Sequence, residues 1–184
     1  MGKLQIMKLD LSQKNVLITG AATGMGRSSA LELAQHGANI SIVDINQDGL
    51  NEVSEKLKSM NANFTSDLMD VTSINEVEDK IEKIEQWFEG GINCLIHFAG
   101  VLEGSVVDID ELTPETWNRI ININLNGTYN VTRAVAKHMK KRNSGVILLT
   151  SSGAGVEGPG SSAPYSSSKG GTHGLTLHLQ QYLA

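Results

Sequence analysis

Short apolar runs alternate along this chain with longer segments of helical periodicity, and no other feature constrains the fold as strongly. Strands that alternate with helices in this way pair in parallel, and right-handed crossovers place helices on both faces of the sheet. The predicted strands are 16–18, 40–44, 63–66, 94–96 and 146–149, and the predicted helices are 27–35, 47–60, 73–88, 113–141 and one from about 164. We therefore expect an α/β fold, a doubly wound Rossmann-type parallel sheet, in a single domain over residues 1–184.

Two of these helices begin with capping signals. Ser73 and Glu76 have the spacing of a capping box, in which each side chain bonds a free backbone N–H of the first turn. Thr113 followed by Pro114 predicts a cap and a first helical residue. We expect the helix that begins there to continue as one element to Lys141.

Composition excludes several kinds of protein. The net charge is −5, from 15 basic and 20 acidic residues, so no broad basic surface is predicted for nucleic acid or anionic lipid. Cys94 is the single cysteine and cannot form an internal disulfide. The amino terminus lacks a signal-peptide pattern, and no run approaches the roughly 20 apolar residues of a membrane span. We expect a cytoplasmic protein without nucleic-acid, membrane or metal partners.

A glycine-rich loop, TGAATGMG at 19–26, connects the first predicted strand to the first predicted helix. Glycine there lets the backbone approach a pyrophosphate, whose charge the helix N-terminus favours. Asp44 closes the second strand, 44 − 26 = 18 residues after Gly26, close to the roughly 20 at which an acid reaches a ribose 2′-hydroxyl. Dinucleotide binding is predicted, and a methyltransferase with a similar loop remains open at this point.

Asp44 also discriminates between dinucleotides. A carboxylate pairs with a free 2′-hydroxyl but repels a 2′-phosphate. Neither the loop nor Ile45 and Asn46 supplies a cation, and Arg27 lies past the loop in the helix. The sequence therefore predicts NAD rather than NADP.

Tyr165 and Lys169 are four residues apart at the start of the last helix, so they share one face. A phenol loses its proton only near about pH 10, and a nearby ammonium makes proton exchange with an alcohol or ketone feasible near neutral pH. Taken alone, the pair is equally typical of a solvated helix face. Ser152 precedes Tyr165 by 165 − 152 = 13 residues and could polarise the same substrate oxygen.

In order and spacing, these motifs resemble those of the short-chain dehydrogenases/reductases over essentially the whole chain. The matching elements are TGAATGMG, Asp44, Asp70–Val71, HFAG at 97–100 as a variant of the family's Asn-Asn-Ala-Gly, Asn124 in ININLNG, Ser152, and YSSSK at 165–169. A methyltransferase has no use for this combination.

The resemblance implies a reaction and four roles. The chain would transfer a hydride between NAD(H) and the carbon of a secondary alcohol or ketone, with Tyr165 as the acid/base. Lys169 would stabilise the phenolate and hold the nicotinamide ribose, and Ser152 would hydrogen-bond the reacting oxygen. Asn124 would interrupt its helix and hold a water that links Lys169 to solvent. The alternative is a catalytically silent dinucleotide-binding or assembly module.

The resemblance also implies a set of cofactor contacts. Asp70 would accept a hydrogen bond from the adenine amino group, with Val71 beside the ring. The complete predicted set is Gly20, Thr23, Gly24, Met25, Gly26, Asp44, Asp70, Val71, Ala99, Gly100, Tyr165 and Lys169.

The match departs from the family in two places. His97 replaces the first Asn of the motif, and we expect it to hydrogen-bond neighbouring strand ends. The sequence stops at Ala184, whereas family members continue with further strands and a substrate-covering segment. We therefore expect an incomplete domain with an exposed edge at the fifth strand and weak or no activity.

The resemblance further implies a homodimer or homotetramer. The helices 113–141 and the one after Tyr165 would form the interface. Val131 and Val135, with Leu175 and Leu179, have the four-residue spacing of packing stripes, although such residues can equally cover the sheet.

Overall fold

Five parallel strands form one sheet in the computed structural model, which describes residues 9–102, 107–157 and 161–183. The strands are β1 (Asn15–Thr19), β2 (Asn39–Asp44), β3 (Phe64–Leu68), β4 (Cys94–His97) and β5 (Val146–Leu149), and their order in the sheet is β3-β2-β1-β4-β5. The order reverses at β1, which confirms the doubly wound prediction. Residues 1–8, where no signal peptide is predicted, and Ala184 lie outside the described residues.

Six α-helices pack around this sheet within the described ranges. They are α1 (Gly24–Gln35), α2 (Gln47–Ser59), α3 (Ile74–Trp87), α4 (Pro114–Ile121), α5 (Gly127–Arg142) and α6 (Ala163–Leu183). The helices α1 and α2 bury one face of the sheet, around Ile18 and Ile40. The helices α3 and α5 bury the other face, around Leu17 and Leu95. Both faces of the central strands are therefore in the core, as a parallel sheet requires.

The predicted helix over 113–141 is confirmed in extent but is divided. A π-helical turn, Asn122–Asn126, separates α4 from α5. Cap signals mark only the two ends of a helix, so they predicted one element here. The division itself agrees with the interruption that the family resemblance implies at Asn124.

The capping box predicted for α3 is wrong. Ser73 is the N-cap residue, but its side chain makes no cap hydrogen bond. Glu76 instead accepts the backbone N–H of Asp70 at 3.1 Å, three residues before the cap. The cap predicted for α4 is confirmed, because Thr113 accepts the N–H of Thr116 at 3.2 Å.

The predicted interface stripe on α5 is also corrected. Val131 and Val135 are 0% exposed and belong to the core beneath α3 and α5. They cover the sheet and cannot contact a second subunit. Among the side chains of these two helices that the structure describes, the exposed large apolar ones are Tyr129 of α5, at 50%, and Leu177 of α6, at 53%.

Asparagines tie the amino-terminal edge of the sheet together. The amide of Asn63 donates to Asn39 at 2.9 Å, and the amide of Asn39 donates to Asn15 at 2.8 Å. The backbone N–H of Asn15 in turn donates to the side chain of Asn93 at 2.8 Å. This ladder fixes the strand ends on one side, and the candidate site lies at the opposite, carboxyl ends.

β5 is the edge strand beside β4, and it pairs only with β4 among the described strands. Its Val146 and Leu148 are 61% and 47% exposed. None of the described helices is long and apolar enough to span a membrane.

Candidate active site

A cleft of about 490 Å³ opens at the carboxyl ends of β1, β2 and β4. Ten of the predicted cofactor residues line it together: Gly20, Thr23, Gly24, Met25, Gly26, Asp44, Asp70, Val71, Ala99 and Gly100. The position agrees with the rule that ligands of doubly wound sheets bind where the strand order reverses.

The glycine loop packs tightly against the end of β4. Gly20 has φ +66°, and a Cβ built on it would lie 2.6 Å from the backbone nitrogen of Ala99. A Cβ on Gly26 would overlap the carbonyl oxygen of Gly20. Only glycine fits at these two positions, so the backbone itself forms this wall of the cleft.

The start of α1 faces this cleft with free donors. Thr23 is its N-cap residue, in extended conformation, and its side chain makes no cap hydrogen bond. The first-turn N–H groups of a helix lack intrahelical partners and carry the positive end of its dipole. An anionic group such as a pyrophosphate is what such a helix start binds.

Asp44 is oriented by two backbone donors. One carboxylate oxygen accepts the N–H of Ala22 at 3.0 Å, and the other accepts the N–H of Asn46 at 3.0 Å. Arg27, the cation that directly follows the glycine loop, forms an ion pair with Glu52 at 3.0 Å. The carboxylate is therefore fixed at the cleft wall.

Sequence reasoning missed several residues of the cleft. Arg119 of α4 lies in its wall, as do Asn122 and Ile123 of the π-helical turn. Ile45, which is 73% exposed, and Thr72 also belong to this group. Ile45 and Thr72 directly follow predicted residues, so proximity in the chain could have identified them. The other three enter the cleft through the path of the α4 segment, which the sequence pattern does not reveal.

Asn124 is fully buried in the π-helical turn, and its amide is committed to the protein. Its oxygen accepts the N–H of Val101 at 2.8 Å, and its nitrogen donates to the carbonyl of Val101 at 2.9 Å. The same nitrogen lies 3.2 Å from the hydroxyl of Ser168. The side chain thus clamps the turn after Gly100 to α6.

Lys169 approaches the cleft from α6. Its ammonium donates to the carbonyl of Thr150 at 2.8 Å and lies 5.7 Å from the centroid of the Tyr165 ring. A Cβ built on Gly100 would be 3.8 Å from the Lys169 nitrogen and 3.1 Å from the Asn124 oxygen. Burial lowers the pKa of Lys169 from its usual range. The structure therefore brings Gly100, Asn124, Tyr165 and Lys169 together.

Ser152 begins a 3₁₀ turn, Gly153–Gly155, that packs against α6. Its hydroxyl oxygen accepts the N–H of Ala154 at 3.2 Å, which leaves the hydroxyl proton available for another acceptor. A Cβ on Gly155 would be 2.6 Å from the backbone of Lys169, so the turn and the helix are in close contact.

His97 is buried at the end of β4, with 2% of its surface exposed. Its Nδ1 lies 2.8 Å from the hydroxyl of Thr19, which confirms the predicted contact between strand ends. Burial, and then the charge of Lys169, lower the pKa of His97 to about 3. Within the described ranges, no cluster of His, Cys, Asp and Glu could hold a metal ion.

The family model described as short chain dehydrogenase matches residues 14–184. This chain belongs to that family. One relative is a 3-oxoacyl-[acyl-carrier-protein] reductase of Thermotoga maritima, 32% identical, with 95% of this chain and 70% of the relative covered. Another is a 2,3-dihydro-2,3-dihydroxybenzoate dehydrogenase of Bacillus subtilis, 36% identical, with 92% of this chain and 65% of the relative covered. Membership makes the chain an oxidoreductase-family protein with a Rossmann-type nucleotide-binding fold.

Solved structures give the same fold. NAD⁺-bound xylitol dehydrogenase matches with a TM-score of 0.89 and 31% identity over 94% of this chain and 66% of that chain. Actinorhodin polyketide ketoreductase with NADPH matches with a TM-score of 0.87 and 30% identity, also over 94% and 66%. The chain thus spans about two thirds of the length of these proteins, and they differ in the nicotinamide cofactor that they hold.

Proposed function

We propose that this chain binds NAD(H) and forms the site of hydride transfer between the nicotinamide and the carbon of a secondary alcohol or ketone. The observation that carries the proposal is one continuous arrangement of groups. The glycine loop, Asp44 and Asp70 line a cleft that ends at Gly100, and Lys169 lies directly beyond Gly100. A dinucleotide that lies along this cleft would bring its nicotinamide end toward Lys169.

The cofactor preference rests on Asp44. Two backbone N–H groups hold its carboxylate at the cleft wall, where it would accept hydrogen bonds from ribose hydroxyls. A 2′-phosphate on the same ribose would face a like charge, which costs about 1 kcal/mol at 4 Å in a fully aqueous setting and more where solvent is excluded. Arg27 forms an ion pair with Glu52 at 3.0 Å, which would compete with any interaction between Arg27 and this phosphate. Among the described residues that line the cleft, Arg119 carries the positive charge that would oppose this preference.

Tyr165 would act as the acid/base. Bound NAD⁺ supplies a hydride acceptor in the oxidative direction. The phenolate oxygen of Tyr165 would take the hydroxyl proton of the alcohol and return it in the reverse reaction. The Lys169 ammonium lies 5.7 Å from the centroid of the Tyr165 ring, beside the group that would exchange this proton.

Ser152 and Lys169 would orient the reacting groups. The Ser152 hydroxyl already accepts a backbone N–H, so its proton can be donated to the substrate oxygen. Lys169 uses one of its three N–H bonds on Thr150, and the others remain for a ribose hydroxyl. The buried amide of Asn124 is committed to Val101 and Ser168, so a proton-relay water at this residue would have to bind its backbone carbonyl.

Cofactor titration tests the first part. We expect NADH to bind at least about tenfold more tightly than NADPH. Asp44→Asn should reduce the ratio of the NADH affinity to the NADPH affinity toward one. Asp70→Asn, which keeps the carboxylate at the end of β2, should leave the ratio unchanged and serves as the control. A ratio that is already near one in the unsubstituted chain would show that Arg119 outweighs Asp44.

Kinetics on a panel of secondary alcohols and ketones test the second part, in this chain extended by the further strands and substrate-covering segment that family members carry. Tyr165→Phe should abolish turnover and preserve NADH affinity, because only the exchangeable proton is removed. Ser152→Ala should slow turnover by raising its activation barrier by about 2.7–4 kcal/mol, the usual cost of losing one donor to a reacting oxygen. Turnover that survives in Tyr165→Phe would rule out the mechanism, whereas NADH binding without turnover in the extended, unsubstituted chain would favour a binding module.

A further inference from the structure

His97 is a buried imidazole that has no task in the proposed reaction. It lies at the end of β4, whose neighbours in the sheet are β1 and β5. Its Nδ1 is 2.8 Å from the Thr19 hydroxyl. Its Nε2 is buried and has no hydrogen-bond partner in the part of the chain that the structure describes. A buried polar ring without a second partner needs an explanation.

The contacts of Thr19 determine the tautomer of this ring. The Thr19 hydroxyl oxygen accepts the N–H of Ala99 at 3.3 Å. Its own proton then needs an acceptor, and among the described residues the Nδ1 of His97 is the one within reach. Nδ1 is therefore unprotonated, and the neutral ring carries its proton on Nε2.

The backbone of His97 extends this contact to α6. Its carbonyl accepts the hydroxyl of Thr150 at 2.8 Å, and the carbonyl of Thr150 accepts the ammonium of Lys169 at 2.8 Å. Hydrogen bonds thus connect Ala99, Thr19, His97, Thr150 and Lys169 across the ends of β1, β4 and β5. Ala99, at one end of this series of hydrogen bonds, lines the cofactor cleft, and Lys169, at the other end, lies beyond the nicotinamide end of the cleft.

We propose that His97, as a neutral ring protonated on Nε2, is a positioning residue that sets the Ala99–Gly100 turn against Gly20 and Lys169. This proposal rests on the proposed function, because it concerns the nicotinamide half of the same cleft. The clearance at this contact is small, since a Cβ on Gly20 would already meet Ala99 at 2.6 Å. A displaced Ala99 therefore changes the shape of the cleft where the cofactor would pass.

Ligand binding to substituted chains tests the proposal. His97→Leu and Thr19→Val each remove one side of the same hydrogen bond and should weaken NADH binding about two- to tenfold, the range expected for one hydrogen bond. AMP, which lacks the nicotinamide half, should bind within about twofold of the unsubstituted chain. The double variant should bind NADH no more weakly than the weaker single variant, because both changes break one contact.

Two further variants separate positioning from general destabilisation. Thr132→Val removes another buried hydroxyl, one without a hydrogen-bond partner among the described residues, and should leave NADH affinity unchanged. His97→Asn places a polar atom near the former Nδ1 and should restore NADH affinity to within about twofold, even if His97→Leu does not fold. Nitrogen NMR of the ring in the unliganded chain should show an unprotonated Nδ1 and a protonated Nε2.

The outcomes discriminate between the two proposals. NADH affinity that is unchanged in folded Thr19→Val, or a ring protonated on Nδ1, would overturn the positioning role and leave the proposed function intact. Equal losses of NADH and AMP affinity would assign His97 a structural role only. If the unsubstituted chain binds neither NADH nor NADPH, the proposed function and the positioning role are both wrong.

Discussion

Replacing His97 by Asn should flatten the acid dependence of folding. The folded chain keeps this imidazole neutral, since burial and the Lys169 ammonium lower its pKa from 6.5 to about 3. The unfolded chain exposes the ring and protonates it near the ordinary value of about 6.5. Between these two values the unfolded state binds more protons than the folded state. The stability that the neutral His97 ring contributes is therefore fully present above about pH 6.5 and is lost as the pH falls toward 3.

The size of the effect follows from the two pKa values. One pKa unit corresponds to about 1.36 kcal/mol. When the pH is lowered from 8 to 5, about 1.5 pH units of this interval lie below the pKa of the unfolded state. His97 alone should therefore cost about 2 kcal/mol of unfolding free energy over this interval. Full titration would cost roughly 5 kcal/mol, which is comparable to the whole stability of many domains.

Urea unfolding followed by circular dichroism at pH 8 and at pH 5 measures this difference. The loss of stability on acidification should be about 2 kcal/mol smaller in His97→Asn than in the unsubstituted chain. His173→Asn, at an exposed position on α6, serves as the control and should behave like the unsubstituted chain. Equal acid dependence in His97→Asn and the unsubstituted chain would mean that the buried ring accepts a proton without cost, and the electrostatic reasoning would fail.

Three further predictions concern the loop, the ladder and the helices. Gly20→Ala should destabilise the chain by more than about 2 kcal/mol and abolish NADH binding, because the added Cβ would overlap the backbone of Ala99. Gly24 also has a positive φ but open space around it, so Gly24→Ala should cost only the backbone strain of about 1–2 kcal/mol. Equal losses of stability and NADH affinity in the two variants would contradict the steric explanation. Asn39→Ala removes a donor and an acceptor of the ladder and should cost about 1–3 kcal/mol in urea unfolding without changing NADH affinity, because the cleft lies at the opposite sheet edge. Sedimentation at micromolar concentration should detect a dimer or tetramer that Tyr129→Glu or Leu177→Glu weakens; a monomer at all concentrations would refute association through α5 and α6.

Local sequence chemistry determined the elements of this fold and most of the residues that line the candidate site. Apolar runs of three or four residues that alternate with helices are typical of a parallel sheet buried on both faces, so the alternation of strands and helices was predictable. The glycine loop and Asp44 were predictable because each directly follows a strand whose end the pattern marks. Tyr165 and Lys169 share one turn of helix, and their proximity is a property of helical geometry alone.

Tertiary structure decided everything that depends on which segments meet. Glu76 was predicted to bond the start of its own helix, but the turn before the helix brings the N–H of Asp70 within its reach. Val131 and Val135 have the spacing of an interface stripe, and only packing against α3 and the sheet shows that they are core. Periodicity identifies a face of a helix but does not specify what covers it.

The environment of His97 shows the same limit at a single residue. The sequence places it at a strand end and predicts a hydrogen bond. Its neutral state depends on burial and on Lys169, 72 residues later in the chain. Arg119 likewise enters the cleft because the α4 segment passes beside it. Desolvation and charge proximity are properties of three-dimensional packing, so no local pattern in the sequence encodes them.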